Sequence, residues 1–161
     1  MPRYALLHVC ISATEPSAWG DVLFATGAYI VFLHPGPLNM LLFLALGILV
    51  SLIFSSFLVI FGSLAFFLGN TDGLTQQMLG ALVTFSTYPM SLFNGVVRLM
   101  LFTIIPAGFI SFVPLQLLHH FTWPLIGAML GFTLLSVLGT AGFFHLGLKR
   151  YESGNLLGMQ N

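Results

Sequence analysis

The chain of 161 residues is far more apolar than a soluble domain: hydrophobic residues make up 58% and charged residues 5%, with a mean hydropathy of +1.03. Soluble domains carry about 25% charged residues, so this composition indicates an integral membrane protein. Four basic and four acidic residues leave no basic surface for nucleic acid, and a single cysteine allows no internal disulfide.

Two long blocks, residues 22–71 and 99–148, contain no Lys, Arg, Asp or Glu. A helix needs roughly 20 apolar residues to cross a bilayer core of about 30 Å, so each block can hold two crossings. The stretch Gly69–Arg98 between them is then a loop that joins two membrane hairpins. We therefore predict an all-α, polytopic transmembrane bundle of four spans, forming a single domain over residues 1–161.

The first hairpin follows a polar-flanked segment, residues 1–21, whose apolar run is too short for a signal peptide. The first span, Val22–Leu33, barely reaches crossing length even with Trp19 in front of it. Two prolines and a glycine in residues 34–37 end it, because they cannot continue a helix. The second span, Leu38–Leu68, is about 46 Å long and is expected to tilt or project from the membrane.

Small residues form a stripe along the second span, within roughly 80° of one another at 100° per residue. They are Gly47, Ser51, Ser55, Gly62, Ala65 and Gly69. Small side chains let helices approach closely in lipid, so the stripe predicts a packing seam. The seam would serve either packing within this chain or contact with a second subunit or a helix outside it.

The central stretch continues with Leu74–Phe85, which is too short to cross and is predicted as an interfacial or partly inserted helix. The third span runs from Arg98 to Val113 and ends before Pro114. Because Pro106 in its middle removes a backbone hydrogen bond, we expect this span to be kinked or interrupted. Irregular backbone at membrane depth is tolerated only against protein or a wet cavity, so we expect the kink to line the interior of the protein.

A loop over residues 114–124 holds His119 and His120, whose adjacent side chains point in different directions without a third ligand nearby. A metal site is therefore disfavoured. The fourth span, Leu125–Leu148, carries Gly127 and Gly131 at the spacing of a second packing face.

The basic residues test the topology. With four spans, Arg3, Arg98, Lys149 and Arg150 all lie on one side, which the positive-inside rule assigns to the cytoplasm together with both termini. Arg98 should then sit at the cytoplasmic boundary, where it can reach headgroups or a carboxylate such as Asp72. The four carboxylates lie outside the spans and there is no Gly-Lys-Ser/Thr phosphate loop, so we expect neither an enzyme nor a cofactor.

Several residues together resemble a known family. They are Ser86-Thr87-Tyr88-Pro89, Arg98-Leu99, Ile105-Pro106-Ala107-Gly108-Phe109, Pro114, and Gly147-Leu148-Lys149-Arg150-Tyr151-Glu152-Ser153-Gly154-Asn155, with Leu68-Gly69-Asn70 and Gln76-Gln77. Their order is similar to the C-terminal part of bacterial type-2 ABC transporter permeases, which have about six spans. The resemblance implies a permease subunit of an ABC exporter in the bacterial inner membrane. It also implies that the chain lacks an N-terminal two-span hairpin.

The same resemblance implies two protein partners, a second permease subunit and a separate ATP-binding cassette subunit that hydrolyses ATP. By position, the segment of residues 5–17 would dock on the ATPase, with His8, Thr14 and Glu15 as contact candidates. The alternative is a four-span scaffold or regulatory membrane protein that transports nothing. The spans offer only Ser, Thr, Tyr and Gly as polar groups, so the sequence does not identify a substrate.

Overall fold

The computed structural model describes the backbone of residues 16–64 and 72–158, and the side chains of residues 19–64, 73–89 and 91–148. Every regular element in these ranges is helical. The chain divides into two compact units, Met1–Leu41 and Leu42–Asn161. The prediction of an all-α protein is therefore confirmed over the described residues.

The first unit contains helix α1, Pro16–Leu33, and the start of helix α2, Pro37–Ser63. The His34 N–H donates to the Ile30 carbonyl at 3.1 Å, and His34 takes a left-handed backbone conformation with φ of 46°. This cap ends α1 at Leu33, as predicted. The apolar part of α1, Trp19–Leu33, is shorter than the roughly 20 residues that a crossing needs.

Two helices are long and apolar enough to cross a membrane: α2 and the first part, Trp123–Leu148, of helix α6, Trp123–Gly158. Within the second unit, their packing centres on the buried side chains of Leu46 and Met129. The Thr140 hydroxyl, also buried, lies 3.1 Å from the Ser56 carbonyl of α2 and 2.8 Å from the Ser136 carbonyl of its own helix. Because lipid supplies no hydrophobic driving force between helices, close packing and this polar contact hold α2 against α6.

Helix α3, Asp72–Thr87, covers the predicted interfacial segment and extends it at both ends. Its 16 residues measure about 24 Å, less than the bilayer core. Leu82 is fully buried, and the Thr75 hydroxyl lies 3.4 Å from the Phe61 carbonyl of α2. A 3-10 turn, Met90–Leu92, connects α3 to helix α4, Gly95–Thr103.

The third predicted span is two helical pieces that meet at an angle of 77°, Gly95–Thr103 and Gly108–His119. The interruption agrees with the predicted effect of Pro106. The predicted end at Val113 is wrong, because the second piece passes through Pro114. It consists of a π-helical segment, Gly108–Phe112, followed by helix α5, Val113–His119, so the predicted loop shrinks to residues 120–122.

Candidate functional site at a broken membrane helix

The helix break is a sharp turn around Pro106. The N–H groups of Ile104 and Ile105 both donate to the Met100 carbonyl, at 2.9 and 3.0 Å, and α4 goes no further. The Ala107 N–H then donates to the Ile105 carbonyl at 2.7 Å, closing a three-residue turn with Pro106 at its centre. Proline fits this position because it has no N–H to give to the helix ladder and its φ is already fixed near −65°.

The second piece of the broken helix starts at the same proline. The Pro106 carbonyl accepts hydrogen bonds from the N–H groups of Phe109 and Ile110, at 3.0 and 3.1 Å. The Val113 N–H reaches back five residues to the Gly108 carbonyl, which is the pattern of a π-helix. In a regular α-helix the Pro114 ring would clash with the Ile110 carbonyl, and the wider π-helical turn relieves that clash.

Both prolines of the break are buried, and Pro106 is among the fully buried side chains. The prediction that the kink faces protein rather than lipid therefore agrees with its packing. Leu101 and Ala107 form a small buried cluster around it, with Phe85 and Phe93 packed at the edge. The rings of these two phenylalanines meet edge to face, with centroids 5.7 Å apart.

The two pieces of the broken helix are held together by the aromatic ring of Phe102. A Cβ atom placed on Gly108 would lie 2.6 to 2.8 Å from three carbon atoms of that ring, closer than real side chains approach. Phe102 also meets Phe109 and Phe112 edge to face, at centroid distances of 5.5 and 6.2 Å. A side chain at position 108 would therefore force the Phe102 ring to move.

Arg98 of α4 contacts the far side of the bend. Its guanidinium carbon lies 5.6 Å from the centre of the Phe112 ring, within the range of a cation–π interaction. An unbroken helix would put these two residues about 21 Å apart along its axis. Arg98 is the only Lys or Arg whose side chain is described, and it is exposed. The bend thus gives this exposed cation an aromatic partner. The predicted contact of Arg98 with Asp72 is not tested, because the side chain of Asp72 lies outside the described residues.

A cleft of about 250 Å³ lies beside the break, between α2, α4 and α6. It is lined by Phe57, Ile60, Thr103, Phe132, Leu135, Ser136 and Gly139. Phe132 connects the cleft to the break, because its ring stacks on that of Phe109 at 4.1 Å with an interplanar angle of 3°.

The predicted small-residue seams do not pack inside the second unit. Six of the small residues are exposed, and no described atom outside its own helix and chain neighbours comes within 4 Å of a Cβ built on any of the four glycines among them. They are Gly47, Ser51, Ser55, Gly62, Gly127 and Gly131. On α2 the buried residues Leu46, Ile53 and Ser56 lie roughly 140° to 160° around the helix from the centre of this stripe, and the buried Phe61 lies about 80° from it. Ala65 and Gly69 lie outside the described residues.

The buried face of α6 carries three hydroxyl groups along its middle. Thr133, Ser136 and Thr140 are buried, and each hydroxyl lies 2.8 Å from the carbonyl four residues earlier in its own helix. These short side chains hide their polar atoms in the helix and still let the helices approach. No pattern in the sequence distinguishes these residues, because apolar and small residues lie on every face of Trp123–Leu148.

The remaining predicted site residues are dispersed. Tyr88 and Pro89 are exposed where α3 ends, and the Tyr88 N–H donates to the Thr84 carbonyl at 3.3 Å. His119 and His120 are exposed at the end of α5, and no three metal-binding side chains come together in the described ranges. Five predicted residues lie where side chains or backbone are not described: His8, Thr14 and Glu15 before α1, and Tyr151 and Glu152 in the last part of α6.

These observations define a multi-pass helical membrane protein with a buried, proline-broken helix. A family model described as ABC-2 family transporter protein matches residues 2–155. The chain therefore belongs to the ABC-2 transporter family, and it is a membrane permease of an ABC transporter. Searches of curated proteins and of solved structures gave no match.

Proposed function

We propose that this permease provides the substrate path of an ATP-driven exporter, while a separate ATP-binding cassette subunit hydrolyses ATP. The observation that carries the proposal is the break at Pro106, in a chain whose family match covers residues 2–155. The helix is already bent at this break and packs against α6 through Phe109. The same bent element can therefore be present in two conformations of the transporter. The chain itself performs no catalytic chemistry in this proposal, because its sequence holds no phosphate-binding loop.

The proposed topology has four spans: α1, α2, the broken helix formed by α4 to α5, and α6. Helix α3 lies in the membrane interface on the cytoplasmic side. This arrangement puts Arg98, Lys149 and Arg150 on one side, and both termini with them. It is supported by the length of α3, which falls short of a crossing, and by the exposed position of Arg98 at the start of the broken helix.

The proposed assembly contains two permease subunits and the ATPase. The exposed small-residue faces of α2 and α6 suit contact with a second permease subunit, since they lie opposite the faces that pack within the chain. Residues 5–17 are proposed to contact the ATPase through His8, Thr14 or Glu15. Cysteines at these positions should cross-link to the ATPase, and failure at every position in a complex that still co-purifies would rule out this contact.

Affinity purification from the native membrane tests the function. We expect an ATPase with a phosphate-binding loop to co-purify with the tagged permease, and its ATP turnover in liposomes to depend on the permease. Recovery of the permease without any ATPase, from membranes solubilised under several mild conditions, would instead favour a scaffold or regulatory protein.

A further inference from the structure

We propose that the cleft between α2, α4 and α6 is a binding site for one acyl chain of a membrane phospholipid. The cleft has a volume of about 250 Å³ and is bordered by the last residue of α4, Thr103. Its walls on α6 run from Phe132 to Gly139, which is the middle of the apolar segment Trp123–Leu148. At this depth the molecules that surround a membrane protein are hydrocarbon chains.

The chemistry of the walls favours a hydrocarbon over a polar ligand. The two hydroxyl groups that line the cleft already donate within their own helices, Thr103 to the Leu99 carbonyl at 2.9 Å and Ser136 to the Phe132 carbonyl at 2.8 Å. No charged side chain lines it. A polar ligand would lose its hydration here and find only the two hydroxyl oxygens as acceptors, whereas an acyl chain has no such loss.

The cleft opens toward lipid, because two of its lining residues on α6, Leu135 and Gly139, are exposed. A chain of methylene groups is narrow enough to enter between Phe57 and Leu135 from the lipid side, where Leu135 is exposed.

A hydrogen bond between α2 and α6 fixes the distance between these two helices beside the cleft. Thr140 bridges to the Ser56 carbonyl at 3.1 Å, one residue from two lining residues, Gly139 on α6 and Phe57 on α2. Gly139 leaves open space, since no atom lies within 4 Å of a Cβ built on it. A leucine at this position would fill the cleft without meeting the backbone of another helix.

Photolabelling tests the site in the full chain. The permease is placed in phosphatidylcholine bilayers that contain a rising fraction of phosphatidylcholine with a diazirine in its acyl chain, and labelled residues are identified by mass spectrometry. We expect labelling of Phe57 and Leu135 to saturate at a low probe fraction. Labelling of Leu130, which is exposed on the same helix but outside the cleft, should rise in proportion to the probe.

Two glycine variants provide the matched comparison. Gly139→Leu should abolish the saturable labelling of Phe57, whereas Gly142→Leu should leave it unchanged, because Gly142 is equally open but does not line the cleft. Proportional labelling of Phe57 and Leu135 in the unmodified chain would overturn the proposal, and so would saturable labelling that survives Gly139→Leu. Protection of both residues from the probe, with cross-linking between two copies through a Leu135→Cys variant, would instead assign the cleft to a side chain of a second subunit.

This proposal concerns lipid and does not depend on transport. The labelling is measured without an ATPase or a transport substrate. A permease that fails to associate with an ATPase can still show saturable labelling, so the two proposals succeed or fail separately.

Discussion

Two single residues determine whether the bend can form, and neither is polar. Gly108 accepts the Phe102 ring at a distance that excludes any side chain, and Pro106 supplies the turn. The sequence marks Pro106 because proline has a known effect on a helix. Gly108 belongs to the motif that carries the family resemblance, but its contact with Phe102 could not be predicted, because glycine is common throughout this chain and only the position of the Phe102 ring distinguishes this one.

Gly108→Ala should destabilise the protein by about 1 to 3 kcal/mol, the usual cost of forcing an extra carbon into a packed site. The added Cβ would meet the Phe102 ring at 2.6 Å. Thermal or denaturant unfolding in detergent measures the change. Gly142→Ala is the control, since its Cβ meets nothing within 4 Å, and it should be neutral or slightly stabilising. Equal effects of the two variants would show that the ring does not restrict position 108.

The contact between Arg98 and Phe112 should be measurable as a coupling of about 0.5 to 1 kcal/mol, typical of an exposed cation–π pair. A double-mutant cycle with Arg98→Gln and Phe112→Leu isolates it from the other effects of each change. Arg98→Lys should retain part of the coupling, because lysine also carries a cation. A coupling of zero would mean that the guanidinium interacts with lipid headgroups instead.

The broken helix and the two long spans differ in the hydrogen bonds that hold their backbones. Regular ladders and a hydroxyl bridge hold α2 and α6, while the broken helix combines a three-residue turn, a π-helical segment and a second proline. Such irregular segments are where membrane helices change conformation at low cost, because few regular hydrogen bonds have to break.

Pro106→Ala restores the missing N–H and should allow α4 to continue toward Gly108. Because the helix hydrogen bonds gained by continuing α4 offset the loss of the turn, we expect little loss of folding stability but a loss of permease-dependent ATP turnover in the assembled transporter. Pro124→Ala is the matched control, since Pro124 is exposed in the first turn of α6, where proline is tolerated. If the two variants support the same turnover, the bend at Pro106 is not part of the transport cycle.

The exposed stripe of α2 predicts the behaviour of another pair of variants. Gly47→Leu should weaken association of two permease subunits while leaving the fold of one chain intact, because Gly47 is exposed and no described residue packs against it. Ala45→Leu adds a comparable volume at an exposed position about 160° around the helix from Gly47 and should have no effect. Cross-linking and sedimentation in detergent measure association. Dimers of equal strength in both variants would mean that the stripe faces lipid.

Across the whole molecule, sequence reasoning found the helices more reliably than it found their packing. Helix ends followed from local rules, as at His34, where the two following prolines prevent continuation. The continuation of a helix through Pro114 did not follow from local rules. The π-helical turn that accommodates this proline depends on the packing of Phe102 and Phe112 across the bend. The sequence also does not show which face of α2 is buried, because both faces of a helix in lipid are apolar. The small-residue stripe therefore indicates that another helix can approach closely, but it does not identify that helix.

Cysteine accessibility across the break tests most directly whether the broken helix serves the transport path. Single cysteines at positions 103–107 and 109, in a Cys10→Ser background, are treated with a membrane-impermeant maleimide in the assembled transporter, with and without ATP. Since Pro106 and Ala107 are buried in the described structure, we expect at least one of these two positions to become reactive in only one nucleotide state. Uniform protection of both in every nucleotide state would contradict a role of the bend in transport and leave it with a purely structural role.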